Sequence, residues 1–345
     1  MTIAPIEPVR GQRAVAAKVM AAQVMALENL DRGRFVCGSD PAPRARMEDR
    51  VMTDPDRLRR LLGPLGVWTF RFDSLAADEA VVAAHHIEQL GFPVVWIAEV
   101  GPTEALTLAG HLLASTSELV VANGIARVSD RSAGAAAAGH RYLHALSGGR
   151  HVLGLGLGGR LSSEGRPIEV MTGYLDQFDT AWGRLPHDID QGPIWCLAAY
   201  NDRMVDLGAE RSDGLHTYLI TPDHTERIRA RVGPAPVIAA ETAVVLNDPA
   251  DRDGARAIAR SHVANYLGGR SHQRKFRALG FDDADFAEGG SDRLVDALVV
   301  YGKDALAERV GAHREAGADH VCVQVLGTTT LDDDLTAWSE VASLL

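Results

Sequence analysis

From Pro64 onward the chain alternates short apolar runs with Ala-, Leu- and Glu-rich segments of helical period, and this rhythm limits the fold more than any other feature. The runs are Gly66–Phe70, Val94–Glu99, Leu119–Ala126, His151–Leu155, Trp195–Tyr200, His216–Ile220, Val237–Leu246 and His320–Leu326. Helical segments such as Ala76–Leu90 and Thr103–Thr116 lie between them. Several runs (VVWIA, LVVA, VCVQVL) are the continuous kind expected of parallel strands buried on both faces. Eight such units in roughly 280 residues predict a single (β/α)8 TIM barrel of the α/β class. An open doubly wound sheet is the competing arrangement, and the regularity of the units favours closure. Ligands sit at the C-terminal strand ends of such barrels, so the residues there are the candidates.

Composition excludes several classes of function. The 345 residues carry 35 Lys and Arg against 46 Asp and Glu, a net charge of −11, which argues against nucleic acid or an anionic membrane as the main partner. Cys37, Cys196 and Cys322 are far apart, and no Cys/His spacing suits a metal, so none is expected. No apolar run reaches the roughly 18 residues that span a bilayer. The opening MTIAPIEPVR lacks a secretory apolar core. A reduced, cytoplasmic protein acting on a small molecule is the expectation.

Read singly, each strand end has a functional and a structural explanation. In LSGGRHVLGLGLGG (residues 146–159) the glycines at 154, 156, 158 and 159 have no Cβ. They would let a flat ligand or a phosphate approach, or let neighbouring backbones touch. Glu99 closes VVWIAE and is costly to bury unpaired. It reads as a proton donor or acceptor with a tuned pKa, or as a helix-capping carboxylate. Arg127 suits an anionic substrate or a solvated rim. Asn201 is a candidate N-cap where phosphate binds readily, with Asp202 opposing that and Arg203 offsetting it. Glu241 and Gln324 are polar residues in apolar strands and need partners, Gln324 lining the mouth or closing a core hydrogen bond. Asp213-Gly214 reads as a turn. His216, placed at the start of its strand, reads as remote from the chemistry, and His85, His86, His140 and His144 as surface or packing residues.

The blocks GVWTF (66–70), IEQLGFPVVWIAE (87–99), LVVANGIA (119–126), HALSGGRHVLGLGLG (144–158) and LGAERSDGLHTYLITPDHTERIR (207–229) resemble the bacterial luciferase-like family. The resemblance runs from residue 52 to about 330 with the blocks in order. DRLVDALVVYG (292–302) and AGADHVCVQVL (316–326) resemble the actinobacterial branch that uses coenzyme F420, a deazaflavin, in place of FMN. The resemblance implies a flavin or deazaflavin across the C-terminal mouth of the barrel, with the chemistry done by the ring. F420 exchanges a hydride at ring carbon C5, whereas reduced FMN activates O2. It further implies that Trp68 and Phe70 pack on the ring unless they are interior fillers. Asn123 and Gly124 would carry a strained peptide under it, Gly156, Gly158, Gly159, Asn201 and Arg203 would hold the cofactor, and Arg127 and Gln324 would meet substrate, with Glu99 as acid or base. Three readings compete: an F420-dependent oxidoreductase on an unidentified small organic substrate, an FMN-dependent monooxygenase, and a barrel that has lost cofactor binding. Family barrels often pair, so a homodimer is expected.

The division expected is an extension over residues 1–51 and a barrel domain over 52–345. Within the extension, LENLDRGRFVCGSD (27–40) parallels LHALSGGRHVLGLG (143–156). It reads as an accessory or vestigial helix–strand unit, and MTDPDRLRRLLGPLGVWTF from Met52 reads as a natural start. Segments 161–166, 183–192 and 272–292 read as lid insertions that set substrate preference.

Overall fold

The computed structural model describes residues 53–158, 166–185, 192–246 and 251–345, so the extension, Gly159 and most of two lid segments lie outside the described residues. Strands β1 (Leu65–Thr69), β2 (Val94–Ile97), β3 (Val120–Asn123), β4 (Ala126–Arg127), β5 (His151–Gly156), β6 (Trp195–Ala198), β7 (Gly214–Thr217), β8 (Val237–Val245), β9 (Val299–Tyr301) and β10 (His320–Leu326) are all parallel where they pair. The order β10-β1-β2-β3-β5-β6-β7-β8 closes on itself because β10 also pairs with β8. The molecule is a (β/α)8 TIM barrel.

Helices follow the strands and cover the ring. They are α1 (Pro55–Leu62) before the first strand, then α2 (Ala77–Gln89), α3 (Ala105–Ser115), α4 (Ala133–Ser147), α5 (Pro167–Trp182), α6 (Asp202–Arg211), α7 (Pro222–Val232), α8 (Arg252–Leu267), α9 (Arg270–Ala278), α10 (Asp283–Phe286), α11 (Asp292–Leu298), α12 (Lys303–Glu315) and α13 (Leu331–Ala342). α1 has the start signals expected of a helix. The Asp54 carboxylate accepts from Arg57 N–H at 2.9 Å and Pro55 stands at its first position. Leu58 and Leu62 are fully buried against Val94, Val120, Ile194 and Val237 and close the N-terminal end of the barrel. Asp213, expected as a turn residue, ties this plug to the wall: it accepts from Asp54 N–H and from Trp195 N–H.

Three departures from the expected strands bear on the site. The run Leu119–Ala126 is broken into β3 and β4 by a bulge at Gly124–Ile125, whose peptide is cis. The strand placed at His216–Ile220 is Gly214–Thr217, which moves His216 from its first residue to near its C-terminal end. β9 was not expected as a strand. β8 pairs with β7 from Val237 to Ala240 and with β9 from Ala243 to Val245, so β9 takes over the edge that β7 leaves.

The barrel interior is filled by rings that carry nitrogen. Trp68 donates its indole N–H to His216 Nε2 at 3.2 Å, and Trp96 donates to His320 Nε2 at 3.1 Å. His320 Nδ1 in turn donates to the Gly63 carbonyl at 2.9 Å, and Trp96 stacks on His216 with 4.4 Å between centroids. Both imidazoles accept at Nε2, so they are the neutral Nδ1–H tautomer. Burial holds His216 at a pKa of about 3 and His320 at about 4.

Two outcomes follow from this packing. A Cβ on Gly154 would overlap the Asn123 carbonyl oxygen, whereas one on Gly173, inside α5, meets nothing. Gly154→Ala should cost at least about 2 kcal/mol or prevent folding. Gly173→Ala should add about 0.5–1 kcal/mol in the same urea titration. Nine described histidines have lowered pKa values, all led by burial. Between the unfolded value of about 6.5 and the folded values, the unfolded chain binds protons that the folded one refuses. The histidine contribution is therefore full above about pH 6.5 and falls as pH drops, each histidine contributing up to ~1.4 kcal/mol per unit, and Lys275, lowered by burial to about 7, acts in the same direction at higher pH. Glu241 and Asp213, raised by burial to about 7 and about 6, oppose this but are outnumbered. The urea midpoint should be clearly lower at pH 5.5 than at 7.5; an unchanged or higher midpoint would contradict neutral buried histidines.

Candidate active site

Inward side chains alternate along each strand, and the uppermost of them form the mouth. Phe70 follows β1 and is half-buried, and Trp68 lies one layer below it with 4.6 Å between ring centroids, edge to face. Tyr218, just past β7, tilts against Trp68 at 4.9 Å. Gln324 on β10 is buried and completes this side. Trp68 is thus a filler hydrogen-bonded to His216 and Phe70 is the aromatic that reaches the mouth.

A polar cluster converges on the Tyr218 hydroxyl. It donates to Gln324 Oε1 at 2.9 Å and lies 3.1 Å from His262 Nε2 and 3.0 Å from Tyr266 Oη. His262 and Tyr266 are four residues apart on α8 and so share one helical face. Burial lowers His262 to a pKa of about 4, leaving it neutral at pH 7, and raises Tyr266 to about 12. Neither residue was among the sequence candidates.

The backbone beneath Tyr218 is clamped by two buried charged groups. Leu219 has φ +53°, a conformation that costs a non-glycine residue about 1–3 kcal/mol. Its N–H donates to Glu241 Oε2 at 2.8 Å, while Lys275 Nζ from α9 donates to the Leu219 and Tyr218 carbonyls at 2.7 and 2.8 Å. Burial pushes the Glu241 carboxyl up to about 7 and the Lys275 ammonium down to about 7. Glu241 Oε1 is buried without a partner among the described residues. The partner that Glu241 was expected to need is therefore the turn carrying Tyr218.

On the opposite side several of the sequence candidates are engaged by the protein itself. Glu99 is 5% exposed and saturated. It accepts from both Arg131 guanidinium nitrogens, from Arg127 N–H at 2.6 Å and from Ala105 N–H at 3.1 Å. Its four acceptor positions are occupied by groups that fasten α3, β4 and the Arg131 turn ahead of α4 together, contacts that favour the structural alternative over the acid–base one. Arg127 pairs with Asp130 at 2.6 Å, and its side chain packs beside Gly158, which has φ +69°. Its Nε and the Tyr174 hydroxyl are buried donors without hydrogen-bond partners among the described residues, Nε standing 4.0 Å from Glu99 Oε2.

The glycine run serves the bulge before it serves any ligand. A Cβ on Gly156 would stand 2.7 Å from Ile125 and 3.1 Å from Ala198, so the space is already filled. The Asn123 side chain leaves the mouth altogether. It accepts from His151 Nε2 at 3.0 Å, and His151 Nδ1 lies 2.7 Å from His140 Nδ1, a buried chain behind the wall. Asn201 caps α6 by position but not by its side chain, which donates to Ser271 at 3.0 Å. Arg203 is exposed on the first turn of α6. The cis Gly124–Ile125 peptide stands where the resemblance placed an unusual bond, and a Cβ on Gly124 would stand 2.5 Å from the Trp68 indole nitrogen.

A parallel barrel with this mouth defines an enzyme-like scaffold, and the comparisons place it. The family model described as luciferase-like monooxygenase matches residues 69–320, and the chain belongs to that family. Rv3520c of Mycobacterium tuberculosis, which bears the name of a coenzyme F420-dependent oxidoreductase, is 31% identical over 137 residues. That match spans 38% of this chain and 39% of the relative, well short of its whole length. The 5,10-methylenetetrahydromethanopterin reductase of Methanolobus tindarius is 24% identical over 73% of this chain and 77% of the relative. Among solved structures, the F420-dependent tetrahydromethanopterin reductase of Methanopyrus kandleri superposes with a TM-score of 0.61 at 15% identity, covering 81% and 97% of the two chains. The FMN-bound oxygenating constituent of 3,6-diketocamphane monooxygenase from Pseudomonas putida gives 0.58 at 18% identity, covering 81% and 96%. These likenesses show the fold. Among the described residues, no helix is long and apolar enough to cross a membrane.

The Glu99 assignment has a direct check. Arg131→Ala would strand a buried carboxylate and should cost about 3–5 kcal/mol. Glu99→Gln keeps an acceptor for the backbone donors and should cost less. Urea unfolding of both variants decides it, and equal losses would contradict the clamp.

Proposed function

We propose that the protein is an oxidoreductase that exchanges a hydride between coenzyme F420 and a small organic substrate. One observation carries this reading: an aromatic-walled mouth, Phe70 above Trp68 and beside Tyr218, stands next to a neutral imidazole, His262, that has no charged neighbour among its ring contacts. A tricyclic ring finds apolar contact there, and a transferred proton finds an acceptor. The name of the mycobacterial relative supports the same cofactor.

The residues present accommodate such a group. Phe70, Tyr218 and the Ile125 side of the bulge would flank the ring. The Tyr174 hydroxyl, a buried donor without a hydrogen-bond partner among the described residues, suits an acceptor oxygen on its tail better than the filled Gly156 does. Bound F420 would supply a two-electron hydride acceptor or donor. The chain's own part is to orient the ring, exclude water and hold a proton acceptor beside it. A flavin monooxygenase reading rests on the same fold, since FMN is bound by one structural neighbour.

Tryptophan fluorescence reports the mouth through Trp68. Titration with F420 should give saturable quenching with a micromolar Kd, and FMN should bind more weakly. Tight FMN binding with O2 consumption on reduction would move the protein to the monooxygenase class. Binding of neither would leave a barrel without a cofactor.

A further inference from the structure

α9 buries two adjacent side chains, Lys275 and Phe276, and they do different work. Phe276 packs in the apolar cluster that holds Val263 and Leu267 of α8 and Leu294 of α11, which anchors the helix. Lys275 reaches the bend after β7, where Nζ donates to the Tyr218 and Leu219 carbonyls at 2.8 and 2.7 Å. A methionine of the same length would fill that space without the cost of burying a charge. What the ammonium alone supplies is a pair of donors for two consecutive carbonyls. Those donors bear on Leu219, whose φ is +53° and whose N–H donates to Glu241 Oε2 at 2.8 Å. A non-glycine residue stays in that region only where its surroundings hold it. Freed at its carbonyls, Leu219 relaxes to negative φ, and the peptide that carries Tyr218 rotates with it. The other hydrogen bonds from α9 to the barrel lie at its two ends: Asn201 Nδ2 donates to Ser271 Oγ at 3.0 Å, and Arg227 Nη1 donates to the Ala278 carbonyl.

We propose that Lys275 is a positioning residue that makes the docking of α9 and the setting of the Tyr218 wall one cooperative unit, coupled through the Tyr218 and Leu219 carbonyls. With α9 docked, the Tyr218 ring stands 4.9 Å from Trp68 and the aromatic wall is complete. With α9 tilted away on its Phe276 anchor, the two carbonyls lose their donors, the bend relaxes and the wall disperses. A planar ring seated against Tyr218 favours the docked state, so entry of the cofactor and closure of α9 are linked. That last link rests on the oxidoreductase reading above, whereas the coupling of helix and bend does not.

Hydrogen exchange on the full chain reads both halves of the unit, the Leu219 amide reporting the bend because Glu241 holds its proton. In Lys275→Met, the α9 amides and the Leu219 amide should exchange together at least about 10-fold faster than in wild type. Amides of α4 and α13 should stay within twofold. The near-ultraviolet circular dichroism of the Trp68–Tyr218 pair should fall in the same variant, a signal that a lysine serving only to fill space would leave in place. Asn201→Ala removes one contact of α9 and none of the bend, and Asn201 does not cap α6 by its side chain. It should speed α9 and Leu219 by one common factor, about 2- to 10-fold. In the Lys275→Met background the same change should leave Leu219 unmoved. Leu219 unmoved by Asn201→Ala, α9 and Leu219 rates that part in Lys275→Met, or unchanged dichroism in that variant would overturn the proposal. Should Lys275→Met not fold, Asn201→Ala decides alone. F420 at saturation should slow α9 and Leu219 equally, and bound F420 that slows neither would overturn the link to the cofactor. If F420 does not bind, the cofactor reading falls, and exchange in the free chain alone decides the coupling.

Discussion

A closed ring of parallel strands encloses a space that water does not enter, so any nitrogen placed there has to be matched from inside. This chain puts two indoles and two imidazoles in that space and matches most of their nitrogens to one another: Trp68 to His216, and Trp96 to His320 and on to the Gly63 carbonyl, leaving His216 Nδ1 without a partner among the described residues. The matching works only with both histidines neutral, since each must offer a lone pair at Nε2. The centre of the barrel is therefore a hydrogen-bonded stack resting on a branched aliphatic layer of Val94, Val120, Ile194 and Val237. It gives the mouth a flat aromatic floor. That floor holds Phe70 and Tyr218 at defined angles, which is what a planar ligand needs from a wall.

The mouth divides its labour between two sides. The Glu99–Arg131 side is an internal brace, with every carboxylate position filled by the protein itself. On the Tyr218 side Glu241 and Lys275 fix the Leu219 peptide from both faces. Two buried charges that do not pair directly with each other are costly. Here each is met by backbone dipoles at one bend, the bend that aims Tyr218.

Much of the fold was legible because both-faces-buried strands leave unmistakable apolar runs, and the eight expected strands are the eight staves of the ring. The site was less legible. His216 was read two residues out of register, since Gly214 and Leu215 give no clearer strand signal than Leu219 and Ile220. Glu99 stood out as a carboxylate ending a strand, but Arg131, which occupies it, lies 32 residues further on. The glycines at 154 and 156 did mark a close approach, though by the chain's own Asn123 carbonyl and Ile125 side chain. His262, Tyr266 and Lys275 lie on α8 and α9, where an isolated histidine or lysine is indistinguishable from a surface residue until the helix is docked. The one hint available was the four-residue spacing of His262 and Tyr266.

β9 has a bearing on how such a site can change. By pairing with the upper half of β8, it occupies the edge along which β7 would otherwise continue, and so acts as a stop that sets where β7 ends. Past that stop the chain must leave the sheet, and Tyr218 is the first residue to do so. The depth of the polar cluster is therefore governed by a three-residue strand that follows β8 only after four helices in sequence. Insertions or register shifts there would deepen or flatten the mouth while leaving its side chains untouched, a route by which related barrels can trade substrates without altering their chemistry.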